Sequence, residues 1–402
     1  MNSDSAYDYY RSAISGARLP AAVLDLDALD TNAEAVLTRA GNLPVRLGSK
    51  SIRVRGVLER LLASNPRYAG LLCFSADEAV WLSGHGFTDL VVAYPTVQEE
   101  AVRRVCAVNR ELDGPITLMV DSVEHVERLG RIAEQEGVRL PLCLDLDLSV
   151  RFPGLFFGVR RSPIADADAA LAVFRATQRY PSLTIDGVMG YEAQIAGLPD
   201  SVPGARLKSA VIRALKRASI PKIHASRQTV VSALREAGAE LRFVNGGGTG
   251  SLESTARDEA VTELTAGSAF FAPLSFDWFE GFSQTPAMLF ALEAARVPAT
   301  GFVTCSGGGY IASGAAGADR LPRPVLPEGL SVTPSEGAGE VQTPLRLHKA
   351  ARGATVPVGE PVFFRHTKAG ELCERFDEVL CVRDGSIVER MPTYRGEGRC
   401  FL

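Results

Sequence analysis

Short apolar runs alternate with amphipathic stretches from Leu19 to about Phe270. AAVLDL reads as a strand and ALDTNAEAVLTRAG as the helix after it. VRLGSK is a strand with a polar end, followed by the helical SIRVRGVLERLLAS. GLLCFS, DLVVAYP, ITLMVDS, LPLCLDLDL, LTIDGVMGYEA and ELRFVNGGGTGS continue the series, and ELTAGSAFF follows. Apolar strands separated by amphipathic helices predict parallel strands covered by helices. About eight such units in residues 19–270 have the size of a (β/α)8 TIM-like barrel, with an open doubly wound sheet as the alternative. Past Phe271 the helical period fades. Gly- and Pro-rich segments with short strands predict a smaller, mostly β domain over residues 271–402. RDG between EVLCV and SIVER is a hairpin signal there. Residues 1–18 form a separate N-terminal extension, read as a helix that joins the β domain or a subunit interface.

Composition narrows the class. The chain has 402 residues, 46% of them hydrophobic and 22% charged, enough for two ordinary globular cores. A net charge of -4 gives no reason to expect nucleic acid or an anionic membrane as partner. The apolar runs are far too short to span a bilayer, and Met1 to Tyr10 has no basic start or apolar stretch of a secretory signal. Seven cysteines without a CxxC pair fit free thiols in a reducing, cytoplasmic setting.

In a barrel of this kind, reactive groups gather at the C-terminal ends of strands. Lys50 ends the second strand, where a desolvated, neutral amine could attack an aldehyde; the plain alternative is a surface lysine at a helix start. Asn245 to Ser251, NGGGTGS, ends a late strand. The backbone of Gly247, Gly248 and Gly250, with the hydroxyls of Thr249 and Ser251, can face an anion, although such a loop is often only a turn. Gly267 and Ser268 supply a second turn able to complete a phosphate cradle. Tyr191 ends another strand and is either a wall for a cofactor ring or a half-buried tyrosine. Arg151 either approaches a ring nitrogen or pairs with Asp145 or Asp147.

The order of LPAAVLDLDALDTN, the strand ending in Lys50, LVVAYPTV, DSVEHVERL, Tyr191, GGGTGS, ELTAGSAFF and DEVLCVRDG resembles fold-type III pyridoxal-phosphate enzymes, the alanine racemase-like proteins. The likeness is strongest to their D-threonine aldolase and D-serine dehydratase branch, and runs from Leu19 to Leu402. It implies pyridoxal 5'-phosphate held as a Schiff base on Lys50. It also implies a homodimer with the active site at the subunit interface, and a D-configured β-hydroxy amino acid as substrate, cleaved by a retro-aldol step or dehydrated. A racemase of the same fold and a non-catalytic pyridoxal-phosphate carrier are the alternatives, beside a cofactor-free barrel that binds a phosphorylated metabolite.

One departure concerns a divalent metal, Zn or Mn. The branch carries His-x-Cys or His-x-Asp in its C-terminal domain. Here His366 stands at the histidine position, but Lys368 replaces the second ligand and Cys373 comes only seven residues on. Three readings follow: a His366–Cys373 metal pair, a Lys368 ammonium in place of the cation, or a structural loop. His366 is also a candidate acid or base. His125 is read as lying on the outer face of a helix, and His224 as reaching the site only if its segment folds back. Tyr310 in SGGGY and the tail residues Tyr394, Arg395 and Arg399 are weaker candidates, with packing and solvation as the plainer explanations.

Overall fold

The computed structural model describes residues 3–112, 116–348 and 356–402. Two residues at the start of the expected extension and the last two of TPLRLHKA lie outside them. The chain divides into two compact units. One comprises residues 36–50, 60–267 and 401–402; the other comprises 1–35, 51–59 and 268–400.

The first unit is a closed barrel of eight strands, every neighbouring pair parallel. In order around the barrel the strands are Phe243–Gly246, Glu263–Ala266, Val45–Gly48, Tyr68–Cys73, Leu90–Val92, Ile116–Val120, Leu140–Leu146 and Leu183–Gly190, which returns to the first. One strand differs from the sequence expectation. Ala21–Asp25, read as the opening barrel strand, lies in the other unit, and Glu263–Ala266 from ELTAGSAFF takes its place. An apolar run reports burial, not the sheet that buries it, because pairing is a tertiary choice.

Leu72, Val91, Met119, Cys143, Met189 and Phe243 meet inside the barrel. Beside them Arg46, fully buried, donates to Glu263 from Nε at 2.7 Å and from Nη2 at 2.9 Å. Its Nη2 also reaches Asp89 Oδ2 at 2.9 Å, and its guanidinium lies 5.3 Å from the Phe243 ring centroid. Asn245 Nδ2 donates to the same Glu263 at 2.9 Å. The helix Arg206–Glu236 carries Pro221 inside it and belongs to this unit.

The second unit is a nine-stranded sheet. Ala21–Asp25 pairs antiparallel with Met288–Arg296 and parallel with Glu378–Arg383. Ile14 and Ala13, at the end of the N-terminal helix, pack on Val23, Leu289 and Phe363 of this sheet. The RDG hairpin closes with Asp384 at φ 49° and Gly385 at φ 71°, the left-handed pair that the twist of two antiparallel strands demands. Among the described residues no helix is long and apolar enough to cross a membrane, and no disulfide joins the cysteines.

Replacing Arg46 by Met strands the Glu263 carboxylate inside the barrel. Loss of one partner of a buried pair costs about 3–5 kcal/mol. The urea midpoint of Arg46→Met should fall accordingly; an unchanged midpoint would show that the buried network adds no stability.

Candidate active site

Alternation along a strand carries the interior register to the barrel mouth. Met119, Cys143 and Met189 face the interior, so residues two further on, Asp121, Asp145 and Tyr191, face the same way at the C-terminal ends. Gly48 pairs with interior Leu72, and Lys50 follows on the 3-10 turn Ser49–Ser51. Lys50 is exposed, where the sequence reading expected a desolvated amine. Its Nζ donates to the Tyr94 hydroxyl at 3.3 Å and lies 5.9 Å from that ring's centroid. Tyr94 belongs to the LVVAYP segment, in which the sequence reading singles out no side chain.

The opposite side of the mouth is ionisable. Burial, then the Asp121 carboxylate, push the Asp145 carboxyl up to about 7; Arg161 pulls it down and Asp147 pushes it further up. Asp121 is itself raised by burial against the opposing pull of His125. His125 Nδ1 sits 2.9 Å from Asp121 Oδ1. The first helical turn thus brings His125 to the strand end, not to an outer helix face. Arg161 lies 5.8 Å from the Tyr191 ring centroid. Burial raises the Tyr191 phenol to about 12 against the pull of Arg161, so its hydroxyl stays protonated at neutral pH.

Arg151 is placed elsewhere. It is exposed on the small hairpin Val150–Phe152 and Leu155–Phe157, and lines a pocket of about 190 Å³ with Lys222 and Ser226 of the long helix. Among the described residues no ion pair joins it to Asp145 or Asp147, and Asp147 Oδ1 accepts from the Ser149 amide and hydroxyl. Arg161, ten residues on, occupies the neighbourhood of Tyr191 that the sequence reading gave to Arg151.

The glycine loop is fixed from several directions. Gly247 has φ +85°, and a Cβ at Gly248 would stand 2.9 Å from both Tyr191 Cε2 and Ala196 Cβ, so only glycine fits at each. Arg39 binds the Glu253 carboxylate through Nε and Nη2, and its Nη2 also donates to Thr249 O at 2.7 Å. Glu192, 2% exposed, accepts from the Gly247 amide at 3.2 Å and from the Thr255 hydroxyl. Arg227 donates to Glu192 at 3.3 Å and also binds Asp258. The Gly247 amide is therefore committed inward. The Ser251 amide and hydroxyl both turn to Gly248 O, at 2.9 and 3.5 Å. Gly267 lies beside Gly48, where a Cβ would sit 3.6 Å from the Gly267 Cα. Ser268 Oγ donates to Ser51 Oγ at 3.2 Å.

In the sheet unit, His366 is 2% exposed and neither of its ring nitrogens has a hydrogen-bond partner. Burial and Arg365 hold it down to about 3, against the weaker pulls of the Met288 main chain and Glu371, so it is neutral. Lys368 donates to Ser313 Oγ at 2.9 Å and lies 3.4 Å from Glu371 Oε1. Cys373 is buried, which pushes its thiol up to about 12. An orphaned imidazole suits a metal, but among the described residues no three His, Cys, Asp or Glu side chains gather to hold one. His366 and Cys373, one of the three readings of this segment, are not part of any such group. Tyr310 packs between Phe290 and Phe376, Tyr394 is in the core, Arg395 Nε pairs with Glu374 at 2.8 Å, and His224 is half-buried within the long helix.

Lys50, Tyr191 and the glycine loop thus follow the C-terminal ends of strands of one parallel eight-stranded barrel. The chain belongs to the alanine racemase N-terminal domain family, which matches residues 24–273. The 3-hydroxy-D-aspartate aldolase of Paracoccus denitrificans (strain Pd 1222) is 26% identical over 63% of this chain and 60% of its own length. A D-threonine aldolase of Arthrobacter sp is 24% identical over the same shares of each chain. The match thus spans about three-fifths of these relatives. Among solved structures, the D-threonine aldolase of Filomicrobium marinum superposes with TM-score 0.79 at 19% identity over 94% of this chain and 95% of that one. The D-threo-3-hydroxyaspartate dehydratase of Delftia sp. HT23 gives 0.75 at 20% identity over 95% and 98%. These likenesses show a shared fold.

Asp145 makes a pH prediction. An acid held above its ordinary 3.8 destabilises the folded state once it ionises. The penalty is absent below that value, where folded and unfolded chains are both protonated, and grows as pH rises towards about 7. Asp145→Asn should therefore gain on the wild type between acidic and slightly alkaline pH, by at most ~4 kcal/mol. Urea unfolding across that range checks it, and a difference independent of pH would defeat it.

Proposed function

We propose that this chain is a pyridoxal-phosphate-dependent lyase acting on a D-configured β-hydroxy amino acid, by retro-aldol cleavage or by dehydration with release of ammonia. The reading rests above all on one juxtaposition: an inward-register lysine at one strand end, and a tyrosine packed on a glycine anion loop at others. The residues fit the cofactor. Lys50 would hold its aldehyde carbon and Tyr191 would wall its ring. Gly248, Thr249, Gly250 and Ser251 would bind its phosphate, with Gly267 and Ser268 closing the cradle. Arg161, beside Tyr191, is the cation better placed for the ring nitrogen than Arg151. When bound, this group draws electrons away from the substrate's Cα.

The chain's own groups then determine where protons move. Lys50 Nζ is the proton carrier at Cα, and the Tyr94 hydroxyl, 3.3 Å away, orients it. Asp145 holds a proton near neutrality on the far side of the mouth. His366 and Lys368 stay candidates for work at the β-hydroxyl, and no step is assigned to a metal. A homodimer remains part of the proposal, as does the amino-acid substrate.

Two measurements test it. Incubation with pyridoxal phosphate followed by borohydride should fix a pyridoxyl group on Lys50 in the wild type and none in Lys50→Ala, with turnover lost as well. A panel of D-amino acids should yield glycine from D-threonine, or a keto acid and ammonia from D-serine or D-threonine. Failure to turn over any β-hydroxy amino acid would defeat the reading.

A further inference from the structure

Glu192 presents an electrostatic puzzle. A carboxylate buried directly behind a loop built for an anion opposes that anion. Arg227 does not remove the opposition, because the same guanidinium also neutralises Asp258. The three groups together carry one net negative charge: Glu192 is 2%, Arg227 0% and Asp258 2% exposed. A site selected only for anion affinity would not place a carboxylate here. What it supplies is an acceptor: one oxygen takes the Gly247 amide at 3.2 Å and the other the Thr255 hydroxyl, one from each side of the NGGGTGS turn. Its chain neighbour is Tyr191, whose ring already touches Gly248 closely enough to exclude a Cβ. One two-residue step therefore positions both the ring wall and the glycine loop.

We propose that Glu192 is a positioning residue for the cofactor's phosphate, fixing the Gly247 peptide so that the donors after it are held ready, with Thr255 as its second anchor. This rests on the function proposed above. The expected consequence is selective: the loop meets only the phosphate, so losing its anchor should affect phosphorylated and unphosphorylated aldehydes differently.

The test compares pyridoxal phosphate with pyridoxal, each bound to the full-length protein and scored by borohydride trapping at Lys50. Glu192→Ala should weaken pyridoxal phosphate at least about tenfold and change pyridoxal less than about twofold. Glu192→Gln, which keeps an acceptor for the amide, should restore most of the loss. Thermal melting monitors folding. Should Glu192→Ala not fold, Thr255→Val, which removes only the second anchor, should show the same selectivity in weaker form. Equal weakening of both aldehydes, or no weakening of either, overturns the assignment. A wild type that traps neither aldehyde sinks the cofactor reading itself, and the positioning role with it.

Discussion

A guanidinium cannot shed its charge to suit a dry interior, so burying Arg46 obliges the barrel to build around it. Its partners come from neighbouring and next-neighbouring positions around the barrel: Glu263 on the adjoining strand, Leu71 O across the other edge, Asp89 ahead of the next strand, and the Phe243 ring. A one-residue slip in any of these strands would turn an ionic partner away from it. The interior register is thereby set low in the barrel, and alternation carries it upward. Gly48 keeps that register at the strand end and Lys50 follows on the 3-10 turn, while Asp121, Asp145 and Tyr191 continue the register of other strands.

The mouth so formed has two halves of different character. On one side Lys50 meets the Tyr94 hydroxyl, and Tyr191 packs on the glycine loop. On the other, burial first and the Asp121 carboxylate second keep the Asp145 proton on to near neutrality. Groups whose ionisation is pushed apart within one concave site are what acid–base chemistry uses.

Much of this was legible in the sequence. Strand–helix alternation gave the barrel, RDG gave its hairpin, and VRLGSK and NGGGTGS showed that Lys50 and the glycine loop follow strand ends. The rest depended on pairing that no local pattern encodes. AAVLDL is as apolar as any barrel strand but adds to the other sheet. Arg46 reads as a routine charge in a strand until Glu263 is known to lie beside it. Asp121 and Asp145 were visible as polar strand ends, and counting by twos from Met119 and Cys143 would have turned them inward. Arg151 lies on a hairpin and Arg161 just beyond it, and the fold of that segment puts Arg161 beside Tyr191. Glu192 looks like an ordinary acid after Tyr191, and only the approach of Gly247 and Arg227 gives it a role.

The parallel pairing of Ala21–Asp25 with Glu378–Arg383 joins segments more than 350 residues apart. On a ribosome adding about 5–20 residues per second, the earlier strand waits roughly 20–70 s for its partner. The barrel residues between them can close meanwhile, since they all emerge before that partner does. The AAVLD segment has no partner on either edge until Met288–Arg296 is made, and its second edge stays open until Glu378–Arg383 follows. Nascent-chain shielding of this stretch bears directly on how much of the newly made protein escapes aggregation.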